Sequence, residues 1–478
     1  MLAFSITGIL HLKDERPDDP IITKAAGSGL NTRAASGTYV AILFVVTFFG
    51  VLAFYFGAAA PAALAVVVAW LTLPLLAWRD RIAFDGKRIH RTGLVPKVWS
   101  AFNQSRCRLK LSDVEMVETF STVNYRRGGR AIYRHRSIIS GKGATFVLAS
   151  ANGFRRTATA IFAALPEDIL DARSLELRDH FVETRRVLDT AEKFEIPSAD
   201  VLEHSLKGLK LRRRHLPFGR SDVDRERALE LRLLANQLHT AGYTVRAAEA
   251  FRRAVVMMPD DGWLIYEFGK CLVSLGGWKR DPRLMRRGMA MLRLAERLAG
   301  NDRTLLERIG QSYIQIGHSR RAESVFARAV ECGGETFRLL RGQADIALND
   351  GKLAHVIHKL GAAADIAVTP SLKRWAKGEY AYFTRLSEDE EYMELEISRM
   401  NLADSLASTR RTAFVIALVA FPVIGVGMYL TESIIADIGW AISGIALAIW
   451  MFVAMGGRII SSRIPLDLMD DERDRYGS

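Results

Sequence analysis

Two sets of side chains in this sequence have the types and the spacing to do chemistry. The first is polar and recurs through the second half of the chain: Arg232, Asn236 and His239, then Tyr266 and Lys270, then Glu307 and Gln311, then Arg341 and Asp345. Members of a set lie three or four residues apart, which stacks them on one face of a helix. The second set is basic, at Arg106, Arg108, Lys110, Arg126, Arg127, Arg130, Arg134 and Arg136. Beside an anionic bilayer, each such residue adds on the order of 1 kcal/mol of attraction. Covalent and metal chemistry have less to work with. No P-loop, HExxH, GxSxG or Cys/His quartet appears, and His355 and His358 lack a third ligand candidate at a defined spacing. The expectation is a binding protein rather than an enzyme, with no cofactor and no metal.

Composition narrows the setting. The 478 residues carry a net charge of +13, and the 49% hydrophobic content reflects two long apolar regions more than a large core. Cys107, Cys271 and Cys332 are far apart and outside any CxxC pair, so neither a disulfide framework nor a zinc ribbon is indicated and a reducing compartment fits. Met1 to Leu12 is apolar but lacks a basic n-region and a small-residue cleavage site, and no cleaved signal peptide is expected.

Tyr39 to Trp78 and Thr412 to Met455 contain no Lys or Arg. Each is long enough for two spans of about 20 residues, interrupted at Gly57 to Pro61 and at the acidic stretch Glu432 to Asp437. Two transmembrane hairpins are expected. Lys24 and Arg33 precede the first, Arg79 and Arg81 follow it, Arg410 and Arg411 precede the second, and Arg458 and Arg463 follow that. By the positive-inside rule both termini and all soluble parts are cytoplasmic, in a multi-pass protein of an inner membrane. The spans lack interior charges of the kind that line transport paths, and Gly439, Ser443, Gly444 and Ala448 suit close helix packing.

After the first hairpin the apolar period changes to two, in Ile82 to Phe84, Lys87 to Arg91, Arg108 to Leu111, Val114 to Val117, Ile132 to Ile139 and Thr145 to Leu148. Asp85-Gly86 is a two-residue turn signal, and Glu176 to Phe194 reads as an amphipathic helix. A membrane hairpin leading into strands around Leu109 to Val117 resembles the bacterial PH-domain family of membrane proteins. That resemblance covers about Tyr39 to Phe194 and implies a seven-stranded PH-like barrel capped by a helix. Most of the charge excess lies here, with 17 Lys/Arg against 5 Asp/Glu between Arg79 and Arg156. Anionic phospholipid is the expected ligand. The run Lys207 to Arg220 is also basic, but a segment near a membrane anchor already faces an anionic surface, and nucleic acid is not expected.

The first polar set lies in a repeat. Gly242, Gly276, Gly317 and Gly351 are spaced by 34, 41 and 34 residues, with small residues at matching places: Ala235, Ala247 and Ala254 in the first unit, Gly310, Ala322 and Ala329 in the third. Leu231, Leu234, Leu238 and Phe251 supply the large apolar partners in the first unit. This set resembles the tetratricopeptide (TPR) pattern, in which paired helices approach through small residues and each unit buries its stripe only against a neighbour. Extra residues around Lys279 to Met285 separate the second pair, and Gln343 and Val356 mark the fourth as degenerate. In that family the polar positions line a concave groove, and here such a groove would suit an extended peptide. Arg232, Asn236 and Arg308 partly resemble a carboxylate-holding clamp, but Glu267 and Thr304 depart from it.

The expected fold is thus a multi-domain membrane protein with four transmembrane helices in two hairpins, a small PH-like β-barrel with a C-terminal helix, and an all-α TPR solenoid. Its order is a flexible N-terminal tail (1–38), transmembrane hairpin 1 (39–78), the PH-like β domain with its amphipathic helix (79–195), a basic linker (196–225), the repeats (226–370), capping helices (371–410), transmembrane hairpin 2 (411–456) and a C-terminal tail (457–478). The expected role is a membrane-anchored cytoplasmic scaffold that recruits protein partners through the groove, with its basic PH-like domain docking on anionic lipid or a membrane partner, alone or as an oligomer. An accessory subunit of a membrane transport or channel complex is the alternative.

Overall fold

The computed structural model describes residues 30–34, 37–94, 96–97, 107–126, 130–150, 153–205, 222–430 and 433–460. Both outer tails and most of the basic linker lie outside these. The described residues hold seventeen helices and seven strands, in two compact units: 1–35 with 78–377, and 36–77 with 378–478.

The first unit begins with two antiparallel sheets. One has the order β1 (Leu30–Arg33), β2 (Arg81–Phe84), β3 (Arg88–Arg91) and β4 (Arg108–Lys110), the other β5 (Met116–Arg126), β6 (Arg130–Gly141) and β7 (Ala144–Ala149). Alternation builds them: Ile82, Phe84 and Ile89 are buried between exposed or half-exposed neighbours. The Asp85 carboxylate accepts from the amides of Lys87 and Arg88 at 3.1 and 2.7 Å, which holds the turn between β2 and β3. β1 lies in the stretch that composition assigns to a flexible tail. It pairs with β2 from Leu30↔Phe84 to Arg33↔Arg81, so the first apolar hairpin is inserted in the chain between two hydrogen-bonded neighbours.

The six segments read as strands fall in β2 to β7, the seventh strand is β1, and the implied barrel is corrected: two small sheets form, with no closed barrel among the described residues. β4 is only three residues long and gives way to a 3-10 turn at Leu111–Asp113, so the outer edge of β5 has no strand partner among them. That edge meets Leu170 through a single bridge at Val117, and the two sheets touch through another, Ala34↔Leu148. Helix α3 (Phe154–Ala163) packs Phe154, Ala158, Ile161 and Phe162 into the same core as Ile82, Phe84 and Leu148. The single helix expected over Glu176 to Phe194 is instead two, α4 (Ala172–His180) and α5 (Thr184–Lys193). The break falls where Phe181 turns into an aromatic cluster with His135 and Phe154. A short helix, α6 (Ala199–Ser205), follows.

Four helical hairpins then succeed one another: α7 (Asp222–Thr240) with α8 (Thr244–Met257), α9 (Gly262–Lys279) with α10 (Pro282–Leu298), α11 (Arg303–Ile316) with α12 (Ser319–Gly333), and α13 (Phe337–Asn349) with α14 (Leu353–Ile366). Gly242, Gly317 and Gly351 stand at the turns with φ of +91°, +83° and +73°, a conformation other residues adopt only with strain. In the second hairpin the extra residues lengthen α9 past Gly276 to Lys279, with Arg280 making the left-handed turn. The small residues do what close approach requires. A methyl added at Gly310 would collide with the Phe326 ring, and one added at Gly342 would come within 2.8 Å of its other edge. Phe326 is a wedge between α11 and α13. The fourth hairpin divides its loyalties: Leu339 and Ile346 join the repeat core, while Phe337, Leu340, Ala363 and Ala364 join the core of the strand module.

The second unit contains α1 (Gly37–Tyr55), α2 (Ala59–Arg79) up to Ala77, the end of α15 (Pro370–Glu388), α16 (Glu390–Tyr429) and α17 (Ser433–Ile460). Among the described residues three helices are long and apolar enough to cross a membrane, at Ala59–Arg79, within Glu390–Tyr429 and at Ile434–Ala454; Ile42–Tyr55 is apolar but shorter. Phe48 of α1 packs with Ile424, Trp440 and Leu447 of α16 and α17, and Trp70 Nε1 donates to Thr47 Oγ1 at 3.0 Å, so all four apolar helices pack together. Ser443 Oγ donates to the Ala417 carbonyl at 3.2 Å. The boundary expected near residue 410 is not a break, because α16 runs 40 residues without interruption from the charged segment into the apolar one.

Gly310→Ala tests the wedge. Alanine is the better helix former by about 1 kcal/mol, but overpacking costs about 1–3 kcal/mol, so the variant should melt lower. Adding Phe326→Leu to it should recover part of the loss. A melting temperature at or above that of the parent, measured on the detergent-solubilised chain, would refute the packing described.

Candidate functional site

The first helix of each hairpin carries the polar positions picked out above, and the structure shows what they face. They do not line an open channel. In the first two hairpins the inner face is covered by α4 of the strand module, which presents Arg173, Glu176 and His180. Lys270 donates to Glu176 Oε1 and stands 5.6 Å from the Tyr266 ring centroid. Arg173 donates to the other Glu176 oxygen at 2.6 Å and to Ser121 Oγ at 3.2 Å, and its guanidinium lies 5.0 Å from the Tyr133 ring. At this end the strand module is joined to the repeats through one half-buried carboxylate.

Arg232 and Asn236 are also satisfied within the chain. Arg232 donates two hydrogen bonds of 2.7 Å to the Glu267 carboxylate, and Asn236 Nδ2 adds a third at 2.8 Å. Glu267, the residue that departs from the clamp pattern, thus fills the place a ligand carboxylate would take. His239 and Tyr266 are buried, the latter donating from its hydroxyl to the Arg308 carbonyl at 3.2 Å. Further along, buried Glu307 accepts from Thr336 at 2.9 Å, and Arg341 pairs with Glu118 of β5 at 3.6 Å while covering the Trp375 ring. Gln311 is half-buried and Asp345 exposed. The groove expectation is corrected on physical grounds: a row of charged side chains next to a domain of the same chain finds its counter-charges there.

Sequence reasoning missed Arg173, Glu176, His180 and Arg338, the last donating to the Glu167 carbonyl at 2.8 Å. Each looks like an ordinary solvated helix residue, and no spacing marks them. The basic set divides. Arg108 and Lys110 lie exposed on β4, Arg134 and Arg136 exposed on β6, and Arg126 pairs in register with Arg130 near the tip of the β5–β6 hairpin. Arg106 and Arg127 lie outside the described residues. His355 and His358 stand on α14, and among the described residues no group of three or more metal-ligating side chains assembles.

The joint has an electrostatic signature. Burial penalises the Glu176 carboxylate, yet Lys270 and Arg173 outweigh that and hold it well below the usual range. Burial pushes the imidazole of His239 down to about 4, although Glu176 draws it the other way, and that of His135 down to about 3. His180 is lowered as well, again chiefly by burial. All three histidines are neutral in the folded joint at neutral pH.

No family model matches the sequence, and no curated protein matches it. Among solved structures, a thermophilic TPR protein of Thermus thermophilus is similar at 18% identity, over 42% of this chain and 96% of that one, with a TM-score of 0.29. The APC/C hetero-tetramer Cut9-Hcn1 is similar at 15% identity, over 62% of this chain and 51% of that one, with a TM-score of 0.28. Scores this low carry no argument by themselves. The helical repeat is TPR-like on its own geometry, in its paired helices, glycine turns and small-residue contacts.

Lys270→Met leaves Glu176 without its main partner, and because the pair is only half-buried the loss should fall below the roughly 3 kcal/mol of a fully buried pair broken from one side. The double variant Glu176→Leu/Lys270→Met should regain most of that stability, which an additive loss in thermal melts would contradict. The histidines set the acid response. Their folded values lie below the ordinary 6.5, so the unfolded chain binds more protons as pH falls through that value. Their contribution is fully present above about pH 6.5 and is lost toward pH 4, whereas that of Glu176 is lost only below its ordinary 4.5. Melting temperature should fall between pH 6.5 and 5, and His239→Gln should flatten that slope. An unchanged slope would mean that other groups titrate there.

Proposed function

We propose that this chain is a membrane-anchored scaffold that recruits protein partners on the outer surface of its helical repeat, and that it acts as a binding protein and not as an enzyme. The observation that carries the reading is the shared core of the strand module and the fourth hairpin. With the inner face spent on α4, the surface left to a protein partner is that of the second helices, where Arg283, Arg286, Arg293, Arg297 and Arg321 are exposed. Partners with acidic faces suit it. The apolar helices support the anchoring, and the Lys/Arg asymmetry of their flanks supports a cytoplasmic position for the soluble parts, at the inner membrane of a bacterium. Seven antiparallel strands followed by α3 support a PH-like reading of the strand module, in an open form, and its basic strands support docking on anionic phospholipid.

The test combines topology with contact. A reporter active only outside the cytoplasm should work when inserted between Leu430 and Ser433 and fail at the C-terminus. A photo-crosslinking residue in place of Arg293 should trap a partner in cells, whereas one in place of Arg232 should give only crosslinks within the chain. The opposite labelling pattern would return the partner to the inner face and sink the proposal.

A further inference from the structure

The strand module has an unusual step. β5 and β6 pair along their whole length, from Met116↔Ser140 to Arg126↔Arg130, but β7 accompanies β6 only as far as Arg136↔Ala149. Beyond that point the ribbon continues with two strands. Ser150 closes the end of β7, donating from its amide to the His135 carbonyl at 2.9 Å and accepting from the His135 amide through its hydroxyl at 2.7 Å. A cleft of about 530 Å³ lies at this step, lined by Phe120, Thr122, Arg134, Arg136, Ile138 and Ala149, with His135 and Ser150 behind.

Pleating separates two chemistries here. Thr119, His135 and Ser137 turn inward and are buried, while Phe120, Arg134 and Arg136 turn outward. The register sets Arg136 opposite Phe120 and Arg134 opposite Thr122. Phe120 is 54% exposed, an unusual cost for an aromatic ring with a core close by. No carboxylate lines the cleft, and neither guanidinium has an acidic partner among the described residues. Four other arginines of this unit each have an acidic partner: Arg91 with Asp80, Arg173 with Glu176, Arg232 with Glu267, Arg341 with Glu118. Two unpaired guanidiniums beside an exposed ring and two small apolar side chains fit an anion with an apolar body.

We infer that the step is a docking pocket for the headgroup and glycerol region of an anionic phospholipid, Arg134 and Arg136 holding the phosphate and Phe120 entering the interface. Guanidinium forks match phosphate oxygens in pairs, and aromatic rings favour the level of the headgroups. The lipid is the source of phosphate because of connectivity: three positions separate β1 from α1, and Asp80 alone separates α2 from β2. A nucleic acid would want several stacking rings, and the cleft offers one. A two-stranded ribbon is marginal alone in water, so a surface that receives it also stabilises it. The pocket deepens the anchored-scaffold reading and rests on it.

The experiment uses the full chain in nanodiscs of phosphatidylcholine alone or with phosphatidylglycerol, followed by hydrogen exchange. Co-elution with the discs checks anchoring separately, and a chain that stays outside them overturns that reading together with this one. With phosphatidylglycerol, amides of β5–β6 around the step should exchange roughly tenfold more slowly than in phosphatidylcholine. Arg134→Glu/Arg136→Glu should abolish the difference and Phe120→Ser should reduce it, while unchanged exchange in the repeat helices shows that both variants are folded. Equal exchange in the two discs overturns the pocket. So does lipid protection that survives the double variant, or protection by a single-stranded oligonucleotide on phosphatidylcholine discs where phosphatidylglycerol gives none.

Discussion

A half-buried carboxylate sets how the strand module meets the first repeats. Glu176 receives Lys270 from the second hairpin and Arg173 from its own helix, and around it sit three histidines that burial keeps neutral. Charge in such a place is tolerable only while every partner is present, since a lone buried ion costs several kcal/mol. The consequence is directional specificity. A hydrophobic seam alone would let α4 slide along the inner face, whereas two cations meeting one acid, with Arg341 on Glu118 and Arg338 on Asp168 further along, favour one register.

The apolar contacts repeat the message at the other end. Phe337, Leu340, Ala363 and Ala364 belong to the last hairpin yet pack with Val117, Leu170 and Leu175 of the strand module. A terminal repeat usually needs a polar outer face because nothing follows it. Here the strand module serves as the cap, which explains why the fourth hairpin could lose the usual small residue at Val356, a side chain that is fully buried.

What the sequence revealed and what it hid divide along a physical line. Glycine spacing betrayed the hairpins because close helix contact tolerates nothing larger, as the Phe326 ring between Gly310 and Gly342 demonstrates. The apolar helices were visible because lipid-length runs are hard to hide. The occupied inner face was not, since Glu176 and Lys270 are 94 residues apart and nothing in either neighbourhood distinguishes a bonded charge from a solvated one. The strand Leu30–Arg33 also escaped notice. Four residues with a single large apolar side chain carry no period, and only pairing with β2 makes them a strand.

That pairing bears on the order in which the chain matures. β1 is made before its partner β2, and 47 residues, including both apolar helices of the hairpin, lie between them. At translation rates of about 5–20 residues per second, β1 waits some seconds without a hydrogen-bonding neighbour. The four-stranded sheet is completed only once the intervening hairpin has been made. The ladder from Leu30 to Arg33 thus closes a loop of chain that spans both apolar helices of the hairpin.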